Sequence, residues 1–348
     1  MSSTAPAATF DLDGALARLK GRGPALVLMH DNPDPDCMAA AECLRRLLET
    51  RAGLTVSVAR GGIIGRPENR ALVSVLGLEH VRSDQLDLAQ FDVIAMVDTQ
   101  PETGNNSLPL AHRIDIVVDH HPLTAAATRA PWCDVREGIG ATSTITYGYL
   151  CAAGVPLDAR LATALLYAIK SETRDLGRES SAYERAAYSE LLAIADLEQL
   201  HRIAEPKVSS AHFAALDRAI RRAELRGNLL TVNLGALDYP DLVAEIADLL
   251  LRHDRARWVM CVGQHRGTVF LSIRTDDKEG RAGEFIKRIV AGKGSAGGHG
   301  QIAGGRLTAP TADARDLGRS YRQLVARAAL ELELEYAHVE PLVPRPEP

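Results

Sequence analysis

Short apolar, largely β-branched runs alternate with helical patterns through the first 200 positions. They are Pro-Ala-Leu-Val-Leu-Met-His at 24–30, Leu-Thr-Val-Ser-Val-Ala at 54–59, Asp-Val-Ile-Ala-Met-Val-Asp at 92–98 and Ile-Asp-Ile-Val-Val-Asp-His at 114–120. Near-continuous apolarity marks strands buried on both faces, hence a mainly parallel, helix-covered sheet, and such sheets bind ligands beyond the carboxyl ends of their strands. From Ala141 to about Gly227 one helical pattern follows another, the last of them read as a linker helix. Strand patterns return from Asn228, with a hairpin expected to turn at His265-Arg266-Gly267. A helix near 281–291, a glycine-rich run over 292–305 and a long amphipathic helix from about 313 to 335 follow. The expected architecture is α/β: a first domain over residues 1–205, a helical linker over 206–227, a smaller α/β domain over 228–340 and a disordered tail over 341–348.

Composition narrows the class. The chain has 348 residues, 46% hydrophobic and 24% charged, which suits a soluble globular protein of two domains rather than a disordered or fibrous one. A net charge of -5 argues against coating long nucleic acids, and 4% aromatic residues argue against an extended base-stacking groove. Five scattered cysteines with no C-x-x-C pair indicate neither a disulfide framework nor a thiolate zinc site. No secretion signal or membrane span is read in the sequence, so the expected compartment is the cytoplasm, with no membrane partner.

Three of the strand patterns end in acids or histidines: His30-Asp31-Asn32-Pro33-Asp34-Pro35-Asp36, Asp98, and Asp119-His120-His121. A single aspartate after a strand is most often a turn former or helix cap, and Asp36 is an obvious cap candidate. Several carboxylates at one rim of a parallel sheet are another matter, because mutual repulsion and desolvation require cations to offset them. Mixed carboxylate and imidazole donors suit Mn²⁺ or Mg²⁺, the histidines favouring Mn²⁺. A pair of such ions sharing one carboxylate is the arrangement of phosphoester hydrolysis.

These stretches, in this order, resemble the first three motifs of the DHH phosphoesterases. Gly297-Gly298-His299, followed by Ala303-Gly304-Gly305, resembles the Gly-Gly-His signature of the DHH-associated substrate-binding domain of nano-RNases, single-strand exonucleases, adenosine bisphosphate phosphatases and cyclic-dinucleotide phosphodiesterases. The resemblance implies two divalent ions. His30 and Asp34 would bind one, Asp36 and His120 the other, and Asp98 would bridge them as a catalytic residue. It gives Asp119 an orienting role and sets His121 beside the scissile phosphate. Where the family has an Asp in its fourth motif, this chain has Ser171-Glu172-Thr173, so Glu172 is the expected ligand, with Asp175 as the alternative. Arg274, at a Ser-x-Arg strand end, and Gly297, Gly298 and His299 would grip substrate.

The expected activity is hydrolysis of short oligonucleotides, dinucleotides or nucleotide phosphates. An inorganic pyrophosphatase or exopolyphosphatase is the alternative enzyme, and a weakly active nucleotide-binding protein the alternative outside catalysis. The expected partner is a short single-stranded oligonucleotide or small nucleotide, and a homodimer is one admissible assembly. The glycine-rich segment Ala59–Arg70 fits a phosphate cradle, with Arg60 or Arg66 touching substrate, or a plain strand-to-helix connection. Arg218, Arg221, Arg222 and Arg226 are expected as a solvated helix face, and Trp132 and Trp258 as packing anchors.

Overall fold

The computed structural model describes residues 10–109, 112–178, 180–308, 314–335 and 338–343. The chain divides into two units between Pro206 and Lys207.

In the first unit, α1 (Leu12–Leu19) is followed by β1 (Ala25–Leu28), α2 (Pro35–Leu47), β2 (Val56–Arg60), α3 (Pro67–Leu76), β3 (Val81–Arg82), β4 (Val93–Val97), β5 (Ile116–Asp119) and β6 (Trp132–Val135). Helices α4 (Thr142–Ala152), α5 (Ala159–Glu172), α6 (Ala182–Leu192) and α7 (Leu197–Ala204) complete it. The six strands pair in parallel in the order β3-β2-β1-β4-β5-β6. Every residue of β1, β4 and β5 is buried, which is why their sequences lack alternation. One face of the sheet, with Ala25 and Val27, shares a core with Met38, Leu44 and Leu165 of the helices. On the other face Leu28 and Met96 pack with Ala127, under the single-turn helices Ser83–Gln85, Leu88–Gln90 and Ala127–Arg129. Each such leucine or methionine contributes about 1.5–3 kcal/mol through burial. Trp132 is an anchor here, stacked on Phe10 with ring centroids 5.1 Å apart.

The second unit holds α8 (Ser210–Arg222), β7 (Glu224–Arg226), β8 (Leu229–Ala236), α9 (Leu242–Leu250), β9 (Trp258–His265), β10 (Thr268–Thr275), α10 (Ala282–Val290), β11 (Gly294–His299), β12 (Ile302–Thr308), α11 (Ala314–Glu331) and β13 (Glu340–Pro341). Its seven strands form one mixed sheet in the order β11-β12-β10-β9-β8-β7-β13. The β9–β10 turn has Arg266 and Gly267 at φ 47° and 80°, the left-handed pair that a two-residue hairpin demands.

Three expectations change here. The helix expected as a linker packs Ala215 and Ala219 into a core with Leu230 and Val232, so it belongs to the second unit. The glycine-rich run, for which the residue pattern gave no strand, is strand: Gly294–His299 and Ile302–Leu307 pair antiparallel, because glycine still makes a full backbone ladder. Of the expected tail, Pro341 pairs with Glu224 and the Leu342 N–H donates to the Ala223 carbonyl at 2.9 Å, while residues 344–348 lie outside the described residues. Among the described residues no helix is long and apolar enough to cross a membrane.

Candidate metal centre

The first unit's strand order reverses between β1 and β4, the kind of switch point at which parallel sheets bind ligands beyond the carboxyl ends of their strands. His30 follows β1, Asp98 ends the β4 segment and Asp119-His120-His121 closes β5, so three chain segments meet at this switch point. Asp98 lies at the middle. Its Oδ2 is 3.5 Å from His30 Nε2, and its Oδ1 is 3.6 Å from both His120 Nε2 and His121 Nδ1.

Local structure sets these side chains. Asp34 is the N-cap of α2, accepting the Cys37 N–H at 3.0 Å with Pro35 behind it. The cap is therefore Asp34 and not Asp36. Asp36, 1% exposed, instead accepts the N–H groups of Thr142 and Ser143 at 2.7 and 2.9 Å, at the positive end of α4. His30 Nδ1 meets the Asp31 carbonyl at 2.9 Å and His120 Nδ1 the Ile139 carbonyl at 3.2 Å, so in both rings Nε2 is the nitrogen turned to Asp98. Asp34 Oδ1 lies 3.7 Å from His30 Nε2. Asp119 accepts from the His120 and His121 N–H groups and meets His121 Nδ1 at 2.8 Å, while Gln100 donates to its other oxygen at 2.7 Å.

Charge is concentrated. Burial, then repulsion from Asp98, raises the Asp36 pKa well above the usual carboxylate range. Burial, then the charge of Asp34, raises that of Glu172. Burial also opposes the Asp34 carboxylate, but His30 outweighs it and lowers its pKa. For His121 burial works against the charged ring; Asp119 and Asp98 win, and its pKa rises to about 10.

Glu172 closes α5, within the field of Asp34, His120 and Asp98, and its Oε1 lies 3.3 Å from Arg178 Nη2. Asp175 is exposed and paired with Lys170. Glu172 thus shares the electrostatic field of the cluster, whereas Asp175 is held by Lys170 at the surface. The glycine-rich loop after β2 packs against the His30–Asp34 segment: Asn32 accepts the Ile63 N–H at 2.8 Å, and a methyl at Gly62 would strike the Asn32 side chain. Arg60 donates to the Gly62 carbonyl at 3.0 Å.

The residue pattern did not single out Thr142, Gln100 or Cys37. The Thr142 hydroxyl donates to Asp98 Oδ1 at 2.9 Å. Cys37 Sγ, His30 and Asp98 each place a donor atom within 4.8 Å of the others, as do Asp98, His120 and His121. Burial pushes the Cys37 thiol up to about 12, and it donates to the Val97 carbonyl at 3.5 Å. Position one after Asp36 was the only signal for it; the polar run Thr142-Ser143-Thr144 at a helix start was the signal for Thr142.

In the second unit Arg274 is 6% exposed, donating to Asp248 at 2.6 Å, to Ser272 at 2.7 Å and to the Ile273 carbonyl at 3.0 Å. Gly297, Gly298 and His299 pair with Gly304, Ala303 and Ile302.

The donor set of the first unit fits divalent cations: imidazole nitrogens with fixed inward faces and clustered buried carboxylates, of which Asp36 and Glu172 are held up in pKa by burial and by neighbouring acids. Residues 24–169 match the family model described as the N-terminal domain of the DHH family. The chain is 32% identical to an uncharacterized protein of Methanocaldococcus jannaschii, over 88% of this chain and 63% of that protein. It is 34% identical to a probable manganese-dependent inorganic pyrophosphatase of Deinococcus radiodurans, over 42% of this chain and 46% of that one. The chain therefore spans less than two thirds of the length of these relatives. Its fold is similar to the crystal structure of an exopolyphosphatase-related protein from Bacteroides fragilis, with a TM-score of 0.72 over 92% of this chain and 96% of that one, at 16% identity. The match to the N-terminal domain of the DHH family thus falls on residues 24–169, the stretch that carries His30, Asp34, Asp36, Asp98 and Asp119-His120-His121.

Proposed function

We propose that this protein is a divalent-metal-dependent phosphoesterase hydrolysing short oligonucleotides, dinucleotides or nucleotide phosphates. The observation that carries the reading is Asp98 set among three imidazoles at 3.5–3.6 Å at the switch point of a parallel sheet. His30 and Asp34 would hold one ion, Asp36, His120 and Glu172 a second, and Asp98 both. Mn²⁺ is favoured over Mg²⁺ because imidazole nitrogens take part. Such ions supply Lewis acidity toward a phosphoryl oxygen and a water nucleophile near neutral pH.

The chain's own residues do the positioning. Thr142 holds Asp98 by one oxygen, and the α4 N-terminus holds Asp36 by two N–H groups. Asp119 binds His121 through Nδ1, which leaves Nε2 for a substrate oxygen. Gly297, Gly298 and His299 are assigned to gripping the far part of the substrate on the strength of their motif. Arg274 is left out of that set, because its guanidinium already serves Asp248, Ser272 and the Ile273 carbonyl.

Similarity to a manganese-dependent inorganic pyrophosphatase favours a second reading, hydrolysis of pyrophosphate or polyphosphate. A substrate panel with added Mn²⁺ tests both: dinucleotides, longer single strands, adenosine 3′,5′-bisphosphate, pyrophosphate and polyphosphate. Faster turnover of dinucleotides or bisphosphate supports the first reading and of inorganic chains the second. Turnover of none means a nucleotide-binding protein.

A further inference from the structure

The arginines expected as one solvated helix face are separated by the fold. Arg221 pairs with Asp217 at 2.8 Å along α8. Arg226 is not on the helix at all but on β7, 7% exposed. Arg222 ends α8, and with Arg226, Glu224, Asn233, Tyr321 and Arg322 it lines an open cavity of about 460 Å³ built wholly from second-unit residues.

Charge in this cavity does not balance. Three arginines face one glutamate, and that glutamate already accepts from Arg226 at 2.9 Å. Among the described residues no hydrogen bond or ion pair engages Arg222 or Arg322, whereas arginines elsewhere on the surface meet carboxylates, as Arg46 meets Asp158 and Arg255 meets Glu340. This local surplus sits in a chain whose net charge is -5.

Acceptors are spent as well. The Thr231 hydroxyl takes an N–H of Arg226 at 3.1 Å and the Tyr321 hydroxyl at 3.0 Å. Asn233 Oδ1 takes the Gly235 N–H at 3.0 Å, which leaves the amide N–H groups of Asn233 as donors. A β-bulge builds this arrangement. The register of β8 on β9 shifts between Asn233 and Gly235, with Gly235 at φ 75°. Arg222 Nη1 lies 3.5 Å from the place a Cβ on Gly235 would take, an ordinary contact, so the guanidinium lies over the bulge while the φ of 75° is what calls for glycine there. Bulges recur next to sites because they re-aim a side chain.

We propose that this cavity binds a small phosphorylated ligand, with Arg222 and Arg322 as the charged clamps and Asn233 as a neutral donor. Guanidinium planes match phosphate oxygens two at a time, and the volume is that of a small-molecule site. The site is independent of the phosphoester reading of the first unit.

Calorimetric titration of the full chain in EDTA, with inorganic pyrophosphate and with adenosine 5′-diphosphate, tests it. The Asp98→Asn variant serves as the background that disables the first unit's cluster. Saturable binding should persist in Asp98→Asn and weaken roughly tenfold or more in Arg222→Gln/Arg322→Gln. Both altered arginines are exposed, so the double variant should keep the wild-type melting temperature, and Arg322→Gln alone should move affinity in the same direction. Tighter binding of the nucleotide than of pyrophosphate identifies a nucleotide site; equal affinities identify recognition of the phosphates alone. Absence of saturable binding, loss of binding in Asp98→Asn, or affinity untouched by the arginine substitutions would overturn the proposal. Because metal is chelated throughout, failure of the phosphoesterase reading leaves this result unaffected.

Discussion

Asp98 holds a left-handed backbone conformation, φ 57°, and Asn32 in the facing segment does the same at φ 56°. Aspartate and asparagine tolerate that region best, and such strain collects where side-chain direction matters. Asn at position 98 therefore keeps the backbone while removing the shared charge. Asp98→Asn should lose roughly a thousandfold in Mn²⁺-dependent turnover of a dinucleotide, about 4 kcal/mol of transition-state stabilisation, with an unchanged circular dichroism spectrum. Turnover near wild type would remove Asp98 from the bridging role. For the fourth ligand, Glu172→Ala should raise the Mn²⁺ concentration needed for half-maximal activity about ten- to a hundredfold, while Asp175→Ala, on an exposed residue, should leave it unchanged. The reverse result moves the ligand three residues along. His121 offers a test without metal. Its pKa in the fold, about 10, exceeds the unfolded value of about 6.5, so its contribution to stability is complete below the latter and is lost as pH rises through the former. Urea unfolding in EDTA should show this alkaline loss in the wild type and a much smaller one in Asp119→Asn, whose side chain no longer charges the ring. Equal pH profiles would mean that Asp119 does not set His121.

Helix ends and close backbone approaches decide the element scale. Asp36 sits at the N-terminus of α4, 106 residues on in sequence, and no periodicity reveals that pairing. The β11 glycines have a similar history. Glycine at 283, in α10, faces the Gly298 carbonyl so closely that an added methyl would collide with it. Gly283→Ala should therefore push α10 off β11 and cost about 1–3 kcal/mol through overpacking. Hydrogen exchange should accelerate in α10, β11 and β12 and not in α2 or β1; uniform acceleration, or none, would count against this local lock. The apolar runs of β1, β2, β4 and β5 announce themselves because each is buried on at least part of both faces. Strand β3, two exposed residues long, and β6, interrupted by Asp134, carry no such run. Neighbouring strands create them, and local composition does not.

At the scale of the whole molecule, the buried acids lie in the first unit and the arginine-lined cavity in the second. Asp36, Asp98, Asp119 and His120 are all at most 7% exposed, so the first unit carries a charge cluster that cations would stabilise. Removing divalent ions with EDTA should lower the thermal stability of residues 10–206 and leave 207–343 unaltered, as read by peptide-resolved hydrogen exchange. Equal shifts in both segments would show that the ions bind elsewhere.

The sequence by itself determined which residues follow which strands: His30, Asp98 and Asp119-His120-His121 come directly after apolar runs, and a parallel sheet must bring the carboxyl ends of neighbouring strands to one rim. It also carried the family resemblance, since motif order is a property of the chain. Only tertiary structure decided that Asp34 caps α2, that Thr142 and Cys37 stand beside Asp98, that Glu172 rather than Asp175 enters the field of the cluster, and that Arg222 and Arg322, 100 residues apart in number, share one cavity. Those contacts depend on how helices and strands far apart in sequence pack, and packing direction is not encoded in the residues on either side of each position.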